Sequence, residues 1–444
     1  MASDSWEVVS VEEIKAPVEN ALSTGPFGSS IGSRFFQDTG IPVIRGSNLS
    51  QEIGFRLIDE DIVYISREKA EEFKRSTVKE GDLIFTCWGT ITQVGLIDKR
   101  AKYPSYVISN KQMKFTPDPA KASSLFLYYV FSSPQLQRII SSQGIGSSVP
   151  GFNLGQLRSI RFSLPPLAEQ RRIAHILGSL DDKIALNRQL NATLEQLART
   201  LFQSWFVDFD PVRAKASGEP KESICRRLGL TPELLALFPA ALEDSAMGEI
   251  PVGWEVKPFS VLAKFVNKSV KPYEKLEKVW EHFSLPAFDA NQQPTLDLGG
   301  SIKSNKFLVP ANAVLISKLN PRIPRIWRPN PQSRDAIAST EFMPFVGSNK
   351  REQSLIYCLI TSEKFQTDLL QRVKGSTGSH QRVGPADVLK IPIVLAGKDV
   401  QTAFSSLVES FLDKQTQALT ESRTLAALRD ELLPKLLSGE IRLN

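Results

Sequence analysis

Apolar side chains recur at alternating steps of four and three along one stretch: Ile173, Leu177, Leu180, Ile184, then Asn187 and Asn191, then Leu194, Ala198 and Leu201. This is a heptad seam with two polar members, and it predicts a long helix with one face reserved for a partner. The pattern returns at Phe404, Val408, Phe411, Gln415, Ala418, Ser422, Leu425, Arg429 and Leu432, again apolar at both ends and polar in the middle. Pro165 and Pro166, with Glu169 in the first turn, mark the start of the first helix; Pro211 marks its stop, and Asp399 reads as the cap of the second. A helix over 170–206 is about 55 Å long, more than one small domain buries. The two helices are therefore expected to pack on each other, antiparallel, with the mid-seam polar residues fixing register. Asn187 and Asn191 facing solvent is an alternative the pattern leaves open, and the pairing survives either way.

The helices belong to a longer internal repeat. At an offset of 231 residues, LRSIRFSLP (157–165) lies over VLKIPIVLA (388–396), and Asp182, Lys183 and Leu197 fall on Asp413, Lys414 and Leu428. The same offset places GDLIFT (81–86) over NAVLIS (312–317), and an offset of 230 places Ser109 and Met113 on Ser339 and Met343. The openings match as SWEV (5–8) and GWEV (253–256). Ahead of each long helix lie about 150 residues of a globular part. In 81–97 short β-prone runs alternate with Gly and Thr and read as strands and turns. Residues 121–143 have helical spacing, enough for one or two helices. The globular parts are thus expected to be α+β. Residues 207–251 read as a polar connector with a short amphipathic helix.

Composition is that of a folded protein: 444 residues, 41% hydrophobic and 23% charged, enough for two to four domains. The start, MASDSWEVVSVEE, has no basic segment followed by an apolar run, and no stretch is apolar enough to span a bilayer, so a cytoplasmic protein without a membrane partner is expected. Cys87, Cys225 and Cys358 stand apart and read as buried thiols. The three histidines, His175, His282 and His380, lack metal-ligand or triad spacing, and His175 reads as a helix-surface residue. PFGSSIG (26–32) reads as a plain turn rather than a phosphate cradle, and Glu72-Phe73-Lys74 as a common tripeptide rather than a nuclease motif. Neither a glycine-rich cofactor loop nor an Asn-Pro-Pro-aromatic tetrapeptide is present, so no catalytic residue and no metal site are assigned.

Charge placement is more informative than composition. The formal charge of +6 permits a polyanionic partner without requiring one. Between 301 and 334, however, seven basic residues (Lys303, Lys306, Lys318, Arg322, Arg325, Arg328, Arg334) occur with no acidic one, around Trp327. In the first repeat Lys99, Arg100, Lys102, Lys111 and Lys114 form an acid-free stretch with Tyr103 and Tyr106. Basic loops with planar residues suit phosphate contacts and base-edge readout, although a solvated basic surface has the same composition. The DNA-binding candidates are Arg34, Arg45, Lys102, Lys111, Lys303, Lys306, Lys318, Arg322, Arg325, Arg328, His380 and Arg382. Those for helix pairing or partner docking are Ile173, Leu177, Leu180, Ile184, Asn187, Leu194, Leu201, Phe404, Val408, Phe411, Leu425 and Leu432.

Several motifs resemble one family. LPPLAEQ (164–170) and LDDK (180–183), within the stretch 146–219, and LLPKLLSGEIRL (432–443) are similar to those of the specificity subunits of type I restriction-modification systems. IPVGWE (250–255), GIPVIRGSNL (40–49) and GDLIFTCWGTI (81–91) resemble parts of that family's target-recognition domains. The resemblance implies an α+β chain with two target-recognition domains, at 1–164 and 253–396. Long spacer helices at 165–206 and 397–437 would pack as an antiparallel coiled coil, with a connector at 207–252 and a tail at 438–444. It implies a non-catalytic subunit in which each recognition domain reads half of a split site in double-stranded DNA. The helices would set the spacing and dock two methyltransferase subunits; a pair of restriction (motor-nuclease) subunits is a further partner the family allows. No cofactor would bind directly, S-adenosylmethionine being used by the methyltransferase on adenine. The second repeat departs from the pattern, with LAGKDVQ (395–401) in place of the Pro-Pro-Leu-Ala-Glu-Gln signature and Asn320-Pro321-Arg322 in place of Gly89-Thr90-Ile91, so its recognition loops are expected to differ. The competing readings are a self-sufficient methyltransferase or nuclease with a cryptic site, and a coiled-coil scaffold that does not bind nucleic acid.

Overall fold

A computed structural model of the chain describes residues 6–144, 151–349, 351–375 and 381–443. The chain divides into two compact units, Met1–Asn187 with Thr420–Asn444, and Arg188–Leu419.

In the first unit one antiparallel sheet has the order Leu22–Thr24, Gln112–Phe115, Leu83–Thr86, Val94–Leu96. A second has the order Val63–Ile65, Ile41–Ile44, Ser105–Ile108, Thr77–Lys79, and its middle pair is parallel. The run Leu83-Ile84-Phe85-Thr86 is apolar without alternation because both of its faces are covered. Leu83 and Phe85 pack on the aromatic side chains of the helix Ser124–Ser132, whereas Ile84 packs with Ile44 and Tyr106 of the other sheet. Glu7–Ser10 pairs with Arg161–Leu164, fastening the opening of the repeat to the strand that feeds the long helix. Residues 121–143 form two helices, broken at Ser133, which caps the second, with Pro134 in that helix's first turn.

The second unit repeats this strand for strand. Its sheets run Lys264–Phe265, Phe342–Val346, Ala313–Ser317, Ile326–Trp327, and Ser269–Val270, Lys306–Leu308, Ala336–Ser339, Val279–Phe283, Thr295–Leu298, with the parallel pair at the equivalent place. Here Glu255–Pro258 pairs with Pro392–Leu395. The extra edge strand, Ser269–Val270, is the main departure.

The long helices span Leu167–Phe206 and Lys398–Ser438. In each unit they pack antiparallel. In the first, Asp181 meets Arg429 while Asn187 meets Glu421 and Ser422; in the second, Gln415 reaches the Asn191 carbonyl and Phe404 packs among Phe202, Trp205 and Phe206. Asn187, only 2% exposed, bonds across the seam and does not face solvent. Ile173, Leu177, Ile184, Leu194, Phe404 and Val408 are buried as the heptads predict. Leu180, Leu201, Phe411, Leu425 and Leu432 are half-buried, and Leu412, Leu433 and Leu436 carry the contact instead. The shift follows from geometry: each half of a helix meets a globular domain as well as its partner helix, so the buried stripe is wider than a two-helix seam and is displaced from it.

Other local expectations are corrected. The first helix ends before Phe209, which is left-handed (φ 58°), and Pro211 sits in the first turn of the next helix, Asp210–Ala216, where its missing N–H costs nothing. Asp399 lies inside the first turn of the second long helix, suited to its dipole but not capping it. The segment 207–251 is not a bare linker: three helices and a hairpin bury Val212, Ile224, Leu235 and Phe238 in the second unit's core, with Phe238 edge-on to Trp205 at 5.1 Å. Apolar residues spaced between its polar ones supply that burial. Cys87 and Cys358 are buried, but Cys225 is half-buried.

Candidate nucleic-acid interface

Five loops of the first unit converge at one end of its sheets. Residues 86–93 turn between Leu83–Thr86 and Val94–Leu96, with Gly89 at φ +88°. The turn is tied down on two sides, the Cys87 N–H donating to the Lys111 carbonyl (2.8 Å) and the Phe152 N–H to the Cys87 carbonyl (2.9 Å). Gln93 spans to the next loop, its amide donating to the Gly46 and Leu49 carbonyls at 3.1 and 2.9 Å. Asn110 donates to the Gly28 carbonyl at 2.9 Å, bringing in the loop that carries Phe27, which is 93% exposed. Gly25 is required there, since a Cβ would stand 1.8 Å from the Ser109 carbonyl oxygen. Together these segments line a cleft of about 550 Å³ bordered by Arg45, Lys111, Asn110, Gln93, Thr90 and Trp88.

The second unit builds the same crossing from different side chains. The Lys318 N–H donates to the Glu341 carbonyl (2.9 Å) and the Val383 N–H to the Lys318 carbonyl (3.1 Å). Asn320 takes the left-handed place of Gly89 (φ 48°), and Leu319 bridges Arg382 as Trp88 bridges Gly151. The crossing and its left-handed residue are therefore shared, because asparagine tolerates that region, but the turn itself differs as expected: the Gln93 N–H closes it on the Thr90 carbonyl in the first unit, and the Ile323 N–H on the Asn320 carbonyl in the second. The side-chain chemistry differs as well: Cys87, Trp88, Lys111 and Gly151 become Lys318, Leu319, Glu341 and Arg382, and Arg382 pairs with Glu341 at 3.3 Å.

The remaining candidates separate. Arg45 borders the cleft, with one guanidinium nitrogen on the Asp61 carbonyl (3.2 Å). Arg34 is exposed over the Phe35 ring. Lys102 is exposed over Tyr103, but it precedes the strand Ser105–Ile108 whose far end leads to Lys111, so the structure does not bring the two together. Tyr103 and Tyr106 serve a hydrogen-bonded network with Tyr64 and Asp59. Lys303 is exposed, its ammonium on the Gly300 carbonyl. Lys306 is buried on the Ser304 hydroxyl, and burial lowers its pKa. Arg325 is held bidentately by Asp289 (2.6 and 2.9 Å), and Arg328 by Asp413 (3.0 Å). Lys306, Arg325 and Arg328 are thus internal ties, which the acid-free run of sequence concealed because their partners come from elsewhere in the chain. Lys318 is half-buried at the crossing and Arg322 is exposed beside it. His380 lies outside the described residues. Trp88, Gln93, Asn110 and Phe27 were not among the candidates; the Trp-Gly pair in a turn between two β runs was the available signal.

Arg328 has a counterpart. In the first unit Arg100 pairs with Asp182 at 3.0 Å, so in both repeats an arginine following the last strand of the first sheet grips the second aspartate position of the long helix. The first unit adds a buried network. Asp181 accepts from Arg429 (2.7 Å) and from the Tyr129 hydroxyl (2.5 Å), Arg429 donates to the Ile53 carbonyl (2.7 Å), and Arg56 joins Asp98 (2.6 Å) to Tyr129 (3.3 Å). Burial, then the Asp181 charge, drives the Tyr129 pKa up, so its hydroxyl stays a donor.

Among the described residues no group of side chains is arranged to hold a metal, and no helix is long and apolar enough to cross a membrane. Residues 5–196 match the family described as "Type I restriction modification DNA specificity domain". The HindI specificity subunit of Haemophilus influenzae is 26% identical over 383 residues, covering 76% of this chain and 82% of that protein. The MjaIX specificity subunit of Methanocaldococcus jannaschii is 24% identical over 408 residues, covering 87% and 85%. Over most of its length the chain is similar to type I restriction-modification specificity subunits. The crystal structure of such an S subunit from M. genitalium shares the fold of this chain, with a TM-score of 0.59 at 14% identity over 98% of this chain and 97% of that one.

The internal ties divide the arginines of the second globular domain into two classes. Arg322→Ala is expected to weaken DNA binding about 5- to 20-fold at moderate salt while leaving the thermal transition unchanged, as for a lost phosphate or base contact. Arg325→Ala is expected to lower the thermal transition by releasing Asp289. Titrating a labelled duplex and melting both variants checks the division; equal effects on both readouts would contradict it.

Proposed function

We propose that this chain is the non-catalytic DNA-reading subunit of its complex. Each globular domain reads half of a split site in double-stranded DNA through the loops around 86–93 and 317–323. The long helices set the distance between the halves and dock two methyltransferase subunits. Those partners use S-adenosylmethionine to methylate adenine, and two motor-nuclease subunits complete the restriction complex. The observation that carries this reading is the recurrence of one loop crossing on two domains with its exposed chemistry changed. A shared scaffold with divergent tips is what two different half-sites require, since backbone contacts position and side chains specify. Cations border both crossings, Arg45 and Lys111 in one and Lys318, Arg322 and Arg382 in the other. Leu197 and Leu428, equivalent in the repeat and 45% and 44% exposed on the long helices, suit two equivalent docking contacts.

The test is single-molecule sequencing of N6-methyladenine across the host genome with and without the gene. The expected result is that one motif, two short halves around a fixed gap, disappears on deletion. Turnover by the purified chain alone with S-adenosylmethionine or Mg²⁺ and DNA would instead support the self-sufficient enzyme.

A further inference from the structure

Trp88 is 54% exposed, yet its indole is not loose. The backbones of residues 88 and 151 bridge, and a Cβ on Gly151 would stand 2.7, 2.9 and 3.1 Å from three carbons of the six-membered ring. Only glycine lets the ring rest there. Beneath it Cys87 is pinned from both sides by the Lys111 and Phe152 backbone bonds, and Gly89 turns the chain sharply away. The ring is therefore a preorganised apolar plane, half in water, on the border of a cleft that also carries two cations and the amides of Asn110 and Gln93.

Single exposed apolar side chains are ordinary; this ring is set apart by being held rigid at the edge of a cleft that carries cations. A flat aromatic face beside cations and amides suits a nucleobase plane flanked by its phosphates, and such a face gains most from a base that has lost a stacking neighbour. The second domain has the same crossing with Leu319 and Arg382 in these places, so it offers an aliphatic side chain and an Arg–Glu pair instead of a ring.

We propose that Trp88 is a DNA-binding residue that stacks on an unstacked base of the first half-site, and that the second half-site is read without such a stack. The proposal rests on the DNA-reading function above. Extrahelical displacement of the target adenine by the methyltransferase leaves its neighbours partly unstacked, which supplies the base plane.

The test uses the reconstituted complex with methyltransferase subunits and duplexes bearing its split site, with 2-aminopurine placed in turn at each position of each half. Trp88→Ala is expected to weaken binding about 5- to 150-fold and to raise 2-aminopurine emission at one position of the first half only. Trp88→Phe should keep most of the affinity, and Gly151→Ala, which displaces the ring without removing it, should reproduce the loss. Leu319→Ala should change affinity less than threefold. Wild-type affinity in Trp88→Ala, or an equal loss on duplexes with a scrambled first half, overturns the stacking role. Failure of the wild-type complex to prefer any split site would instead overturn the DNA-reading function on which it rests.

Discussion

Asp181→Leu is expected to cost the first unit about 3–5 kcal/mol, and Arg429→Ala a similar amount: Arg429→Ala strips the sealed Asp181 carboxylate of its cation, and Asp181→Leu leaves the buried Arg429 with only the exposed Asp430 as counter-ion. Both side chains are almost sealed, at 0% and 6% exposure, so solvent cannot substitute for the lost partner. Burial alone would lower the Arg429 pKa, but Asp181, with Asp430 after it, more than offsets it and holds the guanidinium charged. The repeat supplies the apolar alternative: the positions equivalent to Asp181 and Arg429 are Leu412 and Ala198, both buried at 1% in the second unit's core. Asp181→Leu combined with Arg429→Ala should therefore be less destabilised than either single variant. A residual loss of about 1–3 kcal/mol is expected, since the Ile53 carbonyl and the Tyr129 hydroxyl lose partners. Hydrogen exchange read on peptides from 167–187 and 420–438 measures these energies within the unit they report. Additive losses in the double variant would show that the two charges are not coupled.

Phe404→Ala is expected to cost the second unit about 3–5 kcal/mol, the range for removing a fully buried aromatic side chain. Its ring is 0% exposed and lies 4.9 Å from Phe206, 5.7 Å from Trp205 and 5.8 Å from Phe202. Phe206 and Phe209 in turn pack on Trp254, the tryptophan that opens the second repeat. One cluster thus joins the end of the first helix, the start of the second, the folded connector and the second recognition domain. Exchange protection at 199–206 and at 400–408 should fall together in the variant, and near-ultraviolet dichroism of Trp205 and Trp254 should weaken. Protection lost on only one of the two helices would mean that the cluster does not act as a unit.

Both expectations turn on residues whose importance was only partly visible beforehand. Phe404 was legible as a seam position. Asp181 was not, because it neighbours the seam residue Leu180 and looks like one more charge on a polar face. Its burial comes from the Ser124–Ser132 helix, which presents Tyr129, and from the Ile53-Gly54 turn. The same cause moved the buried stripe of the second helix from Leu432 to Leu433 and Leu436. Periodicity registers one partner well; with two partners at different angles, the stripe widens in a direction the period does not encode.

The candidate interface divides in the same way. A run of seven basic residues without an acid was a correct count and a misleading surface, since Arg325 and Arg328 find Asp289 and Asp413 from distant segments while Lys306 turns inward. Trp88, by contrast, gained meaning only once Gly151, 63 residues away, was placed beneath it.

The duplication, the two long helices, their antiparallel pairing and the α+β character of the domains were legible in the linear chain. These follow from spacing and from repeated local choices, which a linear chain records directly. Which charges are free and which are locked, which side of a helix is sealed, and which loops meet around a cleft were decided by tertiary structure. Those properties depend on pairs of residues far apart in the chain, and neither member of such a pair carries a local mark of the other.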